Sequence, residues 1–402
     1  MATTSLRLPT VTRPLIQPVP TLVVLFVATR GAAVVGMLLA KHGDLGQALV
    51  ALSGSYDASW YERVVFGGYT PTTVDNPVAG FYPGYPLLAG AFYQPLSWLF
   101  TVLDPSGHLL ASAGLGILVF SMLAASNLAL VVGLVALWKL FRPMLGDAAT
   151  VIGIGLLLAS PGAFFLSAAF SESTFVATTA LAFLAASRGR WELAGLAGAA
   201  ASLTRWTGAL LILPLVVAWW ESGERRLSVR PLIGLLLFGA GVAAYPLYLW
   251  AKFRDPLFYV HLQALGWHHH LSNPLRLIGR ILLRGYRGLK AAVGLPSIVR
   301  RGDAEVVIAD AALVSWTGVS LVVGRLRLPV SHLVWVALML VSPLMSGVSD
   351  SMNRYLLGAW PIFFLGGWFL RRRPGLATLL MVVSGACMLT LAWHIAEGWF
   401  VA

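Results

Sequence analysis

The sequence has little charge and almost no cysteine. Asp, Glu, Lys and Arg make up 11% of the 402 residues, whereas 58% are hydrophobic. A soluble domain carries about 25% charged residues, so this chain cannot cover itself with polar surface, and we expect it to lie in a bilayer. Cys387 is the one cysteine, which excludes a disulfide within the chain.

The sequence also lacks the short motifs of nucleotide and zinc chemistry. It has no GxxxxGK[ST] phosphate loop, no GxGxxG, no GxSxG nucleophile elbow and no HExxH. These absences argue against ATP-driven transport and against a transferase that uses a nucleotide sugar at the cytoplasmic face. No cofactor is indicated, and a divalent metal remains an open possibility.

The chain nevertheless carries a net charge of +12 at pH 7. In a soluble protein this charge would suggest a nucleic-acid partner, but no polar domain here carries basic stripes interleaved with aromatic residues. We therefore attribute the charge to membrane topology and to contact with membrane lipids, and we expect no nucleic-acid partner.

Apolar segments follow one another along the chain. The first is long enough to span a bilayer at about 20 residues, so it is interpreted as an uncleaved transmembrane helix. Two segments flanking 204–208 are too short to cross alone, which predicts a hairpin that enters the membrane and returns. The candidate spans are 21–40, 109–138, 148–166, 170–187, 192–204, 207–220, 231–250, 304–323, 329–346, 354–370 and 375–399.

This pattern predicts an all-α polytopic membrane protein in a single domain, 1–402, with about 10–11 transmembrane or half-span helices. With the N-terminus in the cytoplasm, every short cytoplasmic connection carries Lys or Arg, as the positive-inside rule requires. These residues are Arg7, Arg13, Lys139, Arg142, Arg188, Arg190, Arg225, Arg226, Arg230, Arg325, Arg327, Arg371, Arg372 and Arg373.

The same topology places two long segments, 41–108 and 251–303, outside the cytoplasm. The proline-rich start, 1–20, is then a disordered cytoplasmic lead. Three bends also face outward, at 160–171, 204–208 and 347–353.

The second outer segment contains a basic amphipathic pattern. Its arginines recur at spacings of four, four and three, which places them on one helical face. Two interpretations are open: a helix anchored on anionic headgroups at the membrane interface, or a cradle for a lipid-linked phosphate. The residues are Arg276, Arg280, Arg284 and Arg287.

The first outer segment opens with "SYDASWYERVVFGGYTP", which places Asp57 and Glu62 among the aromatic residues Tyr56, Trp60 and Tyr61. A carboxylate beside a membrane surface can act as a general base or bind a divalent cation. The alternative is that both acids are solvated loop residues.

Other charges lie at or within predicted spans. Glu172 and Arg205 both face the outer side by topology, where they could form a salt bridge, or Arg205 could bind a phosphate or sugar. Arg354 lies at the outer end of a later span, and Arg30 lies in the middle of the first. A charge within a span indicates function unless it pairs with an acid.

Six segments, in order, resemble blocks of the phosphatidylinositol-glycan class V (PIG-V) family, mannosyltransferases of the GPI mannosyltransferase 2 type. "YDASWYERVVFGGY" is similar to WDxxWYxxIAxxGY, and "GFYPGYPLL" to FFPLYPLL. The other blocks are "SPGAFFLSAAFSES", "LAGLAGAAASLTRWTGALL", "DPLFYVHLQALGW" and "RYLLGAWPIF". Tyr56 stands where the family pattern has Trp, and Gly84 where it often has Leu.

The resemblance implies a GT-C fold, a multi-helix bundle whose large first outer loop, 41–108, carries the catalytic acid. It implies transfer of mannose from a polyprenyl-phosphate donor to a lipid-linked glycan or glycolipid, with inversion, at the extracytoplasmic face of the cell membrane. The absence of a GPI context leaves the acceptor open.

The resemblance also implies roles for particular residues. Asp57 would be the general base, with Glu62 and Glu172 as secondary candidates. Arg205 and Arg354 would stabilise the leaving lipid phosphate. The remaining candidates, which would line the sugar or phosphate site, are His261, Gln263 and Trp267.

Other functions remain open. A transporter or flippase for an anionic lipid would use Arg30, Arg205 and Arg354 along a path, but it needs charge across the whole bilayer. The unusual polar residues fall on one side. A structural subunit of an envelope assembly would tolerate change at these residues. Within the transferase hypothesis, the sugar could also be arabinose or glucose.

Overall fold

The computed structural model is helical throughout the part of the chain that it describes. That part comprises residues 18–54, 56–69, 76–107, 116–223, 229–267, 269–299, 303–347 and 351–399. Most of the predicted disordered lead, 1–20, lies outside these ranges, but its last three residues belong to the first helix, which begins at Pro18.

Within these ranges the chain forms seventeen α-helices joined by short connections. They are α1 (Pro18–Ala40), α2 (Leu45–Gly54), α3 (Asp57–Gly67), α4 (Gly84–Leu103), α5 (Ile117–Leu145), α6 (Asp147–Leu158), α7 (Glu172–Ala186), α8 (Trp191–Thr204), α9 (Ile212–Glu221), α10 (Val229–Phe253), α11 (Phe258–Trp267), α12 (Pro274–Ala292), α13 (Ala304–Val323), α14 (Val330–Met345), α15 (Met352–Tyr355), α16 (Pro361–Leu370) and α17 (Pro374–Ala396).

Six of these helices are long and apolar enough to cross a membrane: α1, α4, α5, α10, α13 and α17. Half or less of each apolar window is buried inside the protein, so large apolar surfaces face outward. Because such surfaces are unfavourable in water, the chain is an all-α membrane protein, as the composition predicts.

Two predicted spans are not continuous helices. The span expected at 148–166 ends as an α-helix at Leu158 and is followed by a 3₁₀ turn, Pro161–Leu166. The span expected at 354–370 is divided into α15, a 3₁₀ turn and α16. Both interruptions lie next to charged residues, and both shape the site described below.

No span is predicted over α4, where the sequence has Pro83, Gly84 and Pro86, residues that ordinarily break a helix. Pro86 lies in the first turn of α4, where a helix does not need the missing N–H. Although α4 is long enough to span, both of its ends contact the beginning of α5. Tyr85 Oη donates a hydrogen bond to the Met122 carbonyl at 3.0 Å, and the rings of Phe100 and Phe120 lie 5.6 Å apart. Helix α4 therefore lies across α5.

The basic connections gather at one end of the bundle, here called the basic end. Contacts between the connections show this directly, so the predicted grouping is confirmed for the described residues. Assignment of this end to the cytoplasm stays a prediction. The contacts are Glu192 to Arg230 at 3.6 Å, Glu221 Oε1 to the Val330 N–H at 2.6 Å, the Arg327 guanidinium to the Trp368 ring at 4.6 Å, and the Phe141 ring to the His332 ring at 5.7 Å.

Arg30, in α1, is buried and pairs with backbone rather than with an acid. Its guanidinium donates to the carbonyls of Leu158 and Ala163 at 2.7 and 2.6 Å. The last carbonyls of a helix lack partners within it and attract a cation. Arg30 therefore stabilises the break between α6 and the following 3₁₀ turn. Glu172 lies shortly after this turn in the sequence.

Small residues allow helices to approach closely. A Cβ at Gly195 of α8 would lie 2.0 Å from the carbonyl oxygen of Gly234 in α10, and one at Gly241 would lie 2.4 Å from the Cβ of Ala199. Inside a membrane, helix association depends on such close packing, because lipid is as apolar as the helices themselves.

We expect Gly234→Ala to destabilise the protein by about 1–3 kcal/mol, since its Cβ would lie 2.3 Å from the Trp191 carbonyl oxygen and would force α8 and α10 apart. Gly239→Ala, in the same helix, is the matched control. Its Cβ meets nothing within 4 Å, so the change should be neutral or stabilise by up to about 1 kcal/mol. Thermal unfolding in detergent would measure both, and equal midpoints would contradict the packing.

Candidate functional site

Helix α3 brings Asp57 to the centre of the bundle's other end, here called the site end. Ala58, Tyr61 and Val64 recur every three residues and are buried, so this face docks α3 on the bundle. Tyr61 Oη and Ser171 Oγ lie 3.0 Å apart. Asp57 occupies the first turn, where the helix dipole favours an acid.

Four charged side chains form one chain of ion pairs at the site end. Asp57 Oδ2 lies 2.5 Å from Arg354 Nη2, and Arg354 Nε also contacts Glu172 Oε1. Arg205 Nη1 lies 2.7 Å from the same Glu172 oxygen. The predicted salt bridge between Glu172 and Arg205 is thus confirmed, and Arg354 extends it to Asp57.

Burial differs along this ionic network. The side chain of Glu172 is 2% exposed and that of Arg354 is 8% exposed, whereas those of Arg205 and Asp57 are 16% and 27% exposed. Burial disfavours the charge of Arg354, but Asp57 and Glu172 outweigh it and raise the pKa of Arg354 well above its usual value. Glu172 therefore forms the floor of the network, and Asp57 lies at its accessible edge.

Interrupted backbone positions these charges. Arg205 is extended, with φ of −152°, between α8 and the following turn, and a Cβ at Gly208 would lie 2.2 Å from the Ala201 carbonyl. Arg354 follows Asn353, whose N–H donates to Asp310 Oδ1 at 2.7 Å. Glu172 begins α7 directly after the interruption that Arg30 holds. The three bends predicted to face one side therefore converge.

The exposed edge of the network opens into a cleft of about 140 Å³. Its walls combine ionic groups with aromatic rings, as ligand sites with a few oriented polar groups among apolar walls do. The lining residues are Asp57, Tyr61, Gly80, Phe81, Tyr82, Thr204, Arg205, Trp206, Thr207, Tyr259, Gln263, Trp267, His269, Pro343, Ser346, Arg354 and Tyr355.

The two long segments predicted to be outer meet at this cleft. Gln263 Nε2 donates to the Gly80 carbonyl at 3.3 Å. The Trp267 ring packs on Gly80, where a Cβ would lie 3.2 Å away, and its centroid lies 5.7 Å from that of Phe81. Gln263 and Trp267 are therefore lining residues, as the resemblance implies.

Two of the polar candidates lie outside both the cleft and the ionic network. Glu62 lies about 140° around α3 from Asp57, since successive residues turn by about 100°, and it is absent from the walls. His261 is exposed and its Nδ1 lies 2.7 Å from Asp255. The interpretation of His261 as a lining residue is thus wrong for this structure.

Two aromatic candidates support the site from outside. Tyr56 Oη donates to the Gly398 carbonyl at 3.3 Å, which joins the start of α3 to the chain after α17. Trp60 stacks on Phe81, with centroids 6.2 Å apart. Neither residue lines the cleft, so their side chains hold the segment that carries Asp57.

Several lining residues were not predicted from the sequence. Tyr82 and Tyr259 face each other across the cleft wall with centroids 4.9 Å apart. Burial, and then Tyr82, raise the pKa of Tyr259 well above its usual value, so its phenol stays a proton donor. Burial, followed by His270, lowers the pKa of His269. Tyr82, Tyr259 and His269 lie in the two long segments 41–108 and 251–303. The sequence of these segments does not show in which direction each side chain points.

The basic amphipathic helix predicted in 251–303 is α12, and this prediction is confirmed. The segment before α12 pairs with the end of α14: the N–H of His270 donates to Ser346 at 3.3 Å, and that of Ser272 to Met345 at 2.9 Å. The start of α12 therefore borders the cleft, although none of its four arginines lines it.

No cluster of three or more His, Cys, Asp or Glu side chains suited to a metal ion occurs within the described part of the chain. Asp57 and Glu172, the acids of the site, are both paired with arginine. Compared with known protein families and with curated proteins, the chain finds no match.

We expect Glu172→Gln to destabilise the protein by about 3–5 kcal/mol, because it leaves two buried guanidinium groups without their shared carboxylate. Glu62→Gln removes the same charge outside the network and should change stability by no more than about 0.5 kcal/mol. Thermal unfolding of both variants in detergent tests this, and a small loss for Glu172→Gln would argue against a buried ion-pair floor.

Proposed function

We propose that the chain is a membrane glycosyltransferase. It moves a sugar, mannose by the family resemblance, from a polyprenyl-phosphate donor to a lipid-linked glycan or glycolipid acceptor. The observation that carries the proposal is the accessible carboxylate of Asp57 at the edge of a cleft that also presents Arg205, Arg354 and aromatic rings. A general base, a site for phosphate and a surface for sugar stacking are the three parts that this reaction needs.

In the proposed reaction, the acceptor hydroxyl oxygen attacks the anomeric carbon of the donor. Asp57 takes the hydroxyl proton, a new glycosidic bond forms, and the bond between the anomeric carbon and the phosphate oxygen breaks. Attack from the face opposite the phosphate inverts the anomeric centre. Negative charge gathers on the departing polyprenyl phosphate, where the guanidinium groups of Arg205 and Arg354 stabilise it.

Glu172 acts through the arginines. It is fully buried and lies behind them, so it does not touch the substrate. Its carboxylate lowers the repulsion between Arg205 and Arg354 and fixes their planes toward the cleft, which gives the positioning that a charge-stabilising site requires.

A lipid-linked substrate also needs an apolar surface next to the polar cleft. A groove of about 840 Å³ runs beside α3, α4 and α10, lined by residues that include Leu87, Tyr245 and Tyr248. The ring of Tyr82, in the cleft, lies 4.7 Å from that of Tyr245, in the groove. A substrate with a polar head in the cleft would then place its chain in this groove, across the contact between Tyr82 and Tyr245.

The flippase alternative is less well supported. It requires charges along a path through the bilayer, and Arg30 was one of the three residues assigned to that path. Arg30 is buried in the bundle and donates to the carbonyls of Leu158 and Ala163, which gives it a structural role.

We expect Asp57→Asn to lower the turnover of polyprenyl-phosphate mannose by about 10²–10⁴-fold, the usual contribution of a general base. The assay uses the purified protein, this donor and a lipid extract of the native membrane, and the labelled product identifies the acceptor. Glu62→Gln, in the same helix and outside the cleft, is the control and should retain activity.

The outcomes separate the hypotheses. Equal turnover of the Asp57→Asn variant and the parent would remove Asp57 as the base. Turnover only with the polyprenyl-phosphate form of arabinose or glucose would keep the mechanism and change the sugar. If the folded parent protein turns over none of these polyprenyl-phosphate donors, the result would contradict the transferase proposal.

We further propose that the protein lies in the cell membrane with the site end outside the cytoplasm. In a Cys387→Ala background, a cysteine at Ser106 should react with a membrane-impermeant maleimide on intact cells, since Ser106 is exposed in the first long segment. A cysteine at the exposed Ser222, at the basic end, should react only after lysis. The opposite pattern would reverse the orientation.

A further inference from the structure

Helix α12 has three faces with different chemistry. The first is buried: Leu277, Ile281, Gly285 and Gly288 recur at spacings of four, four and three. A Cβ at Gly285 would lie 2.3 Å from the Ala311 Cβ of α13. This face therefore attaches α12 to α13, one of the helices long enough to span a membrane.

The second face is basic. Arg276, Arg280, Arg284 and Arg287 lie on it, and α12 contains no acidic residue. Arg276 and Arg280 are exposed, and Arg284 and Arg287 are half-buried. Among the described residues, no carboxylate forms a salt bridge with Arg276, Arg280 or Arg287.

The third face is apolar and exposed. Leu275, Leu282 and Leu289 share it at spacings of seven residues, with 76%, 41% and 55% of each side chain exposed. In water, such a row of leucines would be unfavourable. Their position on a helix attached to a candidate membrane span indicates that lipid covers them.

We propose that α12 binds anionic phospholipid, with headgroup phosphates on its arginine face and acyl chains against its leucine face. The exposed apolar surface reaches the arginine face through Tyr286 and Leu283, which are 62% and 46% exposed and lie about 80° and about 20° around the helix from Arg276, so one amphiphile can contact both. Free phosphate would leave the leucines uncovered, and a neutral lipid would leave Arg276, Arg280 and Arg287 without counter-charge. The arginine face rises about 16 Å from Arg276 to Arg287, which is enough for more than one headgroup.

This site is separate from the proposed catalysis. None of the four arginines lines the cleft, so lipid binding does not depend on turnover. The start of α12 is hydrogen-bonded to Met345 and Ser346 through the segment 270–272. Bound lipid would therefore hold α12 at the headgroup level beside the rim of the cleft.

The test is native mass spectrometry of the full-length protein with phosphatidylglycerol and phosphatidylcholine of identical acyl chains. The parent should retain phosphatidylglycerol preferentially. The triple variant Arg276→Gln, Arg280→Gln, Arg287→Gln should bind its tightest phosphatidylglycerol about 100-fold more weakly, because each basic residue near an anionic headgroup contributes about five-fold.

The matched control removes three exposed arginines at the basic end: Arg188→Gln, Arg190→Gln, Arg372→Gln. It should retain the tightest phosphatidylglycerol, and thermal unfolding should show both triple variants to be folded. Equal retention of the two lipids by the parent, or equal loss in both triple variants, would overturn the proposal. Displacement of phosphatidylglycerol by equimolar polyprenyl phosphate from the parent alone would also overturn it, in favour of a cradle for the lipid-linked substrate.

Discussion

The site depends on one buried carboxylate that two arginines share. Two like charges about 4 Å apart repel by about 4 kcal/mol at the effective dielectric of a protein surface, and by more inside it. Glu172, 2% exposed, lies against both Arg205 and Arg354 and offsets that repulsion. Without it the guanidinium groups would move apart or draw in water, and the cleft would lose the paired positive charge that an anionic substrate needs.

This arrangement requires the chain to leave helical geometry at three places, which is costly within a membrane because each free backbone group needs a partner. The structure supplies partners from residues that do not line the cleft. Arg30 donates to the carbonyls of Leu158 and Ala163, and Asp310 accepts from the N–H of Asn353. Buried charge that does not line the cleft thus serves the geometry of the cleft, and this gives Arg30 a role without an acidic partner or a transport path.

Sequence patterns predicted what depends on local composition. Lysine and arginine in short connections predicted which connections share an end, and charges at the ends of spans predicted that Glu172, Arg205 and Arg354 lie on one side, with a salt bridge possible between Glu172 and Arg205. Sequence patterns did not predict the direction of a side chain where this depends on rotation around a helix or on contact with a distant segment. Glu62 is turned away from Asp57 by the helix, Asp255 holds His261 outside the cleft, and the Tyr82–Tyr259 wall depends on two distant segments packing together. The prolines near α4 indicated a break, although Pro86 falls where a helix accepts it.

The pair Asp57–Arg354 links the two halves of the proposed reaction. The network contains two cations and two carboxylates, and Asp57 Oδ2 lies 2.5 Å from Arg354 Nη2. Under the proposed function, a donor phosphate that binds Arg354 would compete with this contact and would loosen the carboxylate that takes the acceptor proton. Glu172 would stay on Arg354, because it lies on the buried side. The base would then become available only once a donor is in place, which favours an order in which the donor binds before the acceptor.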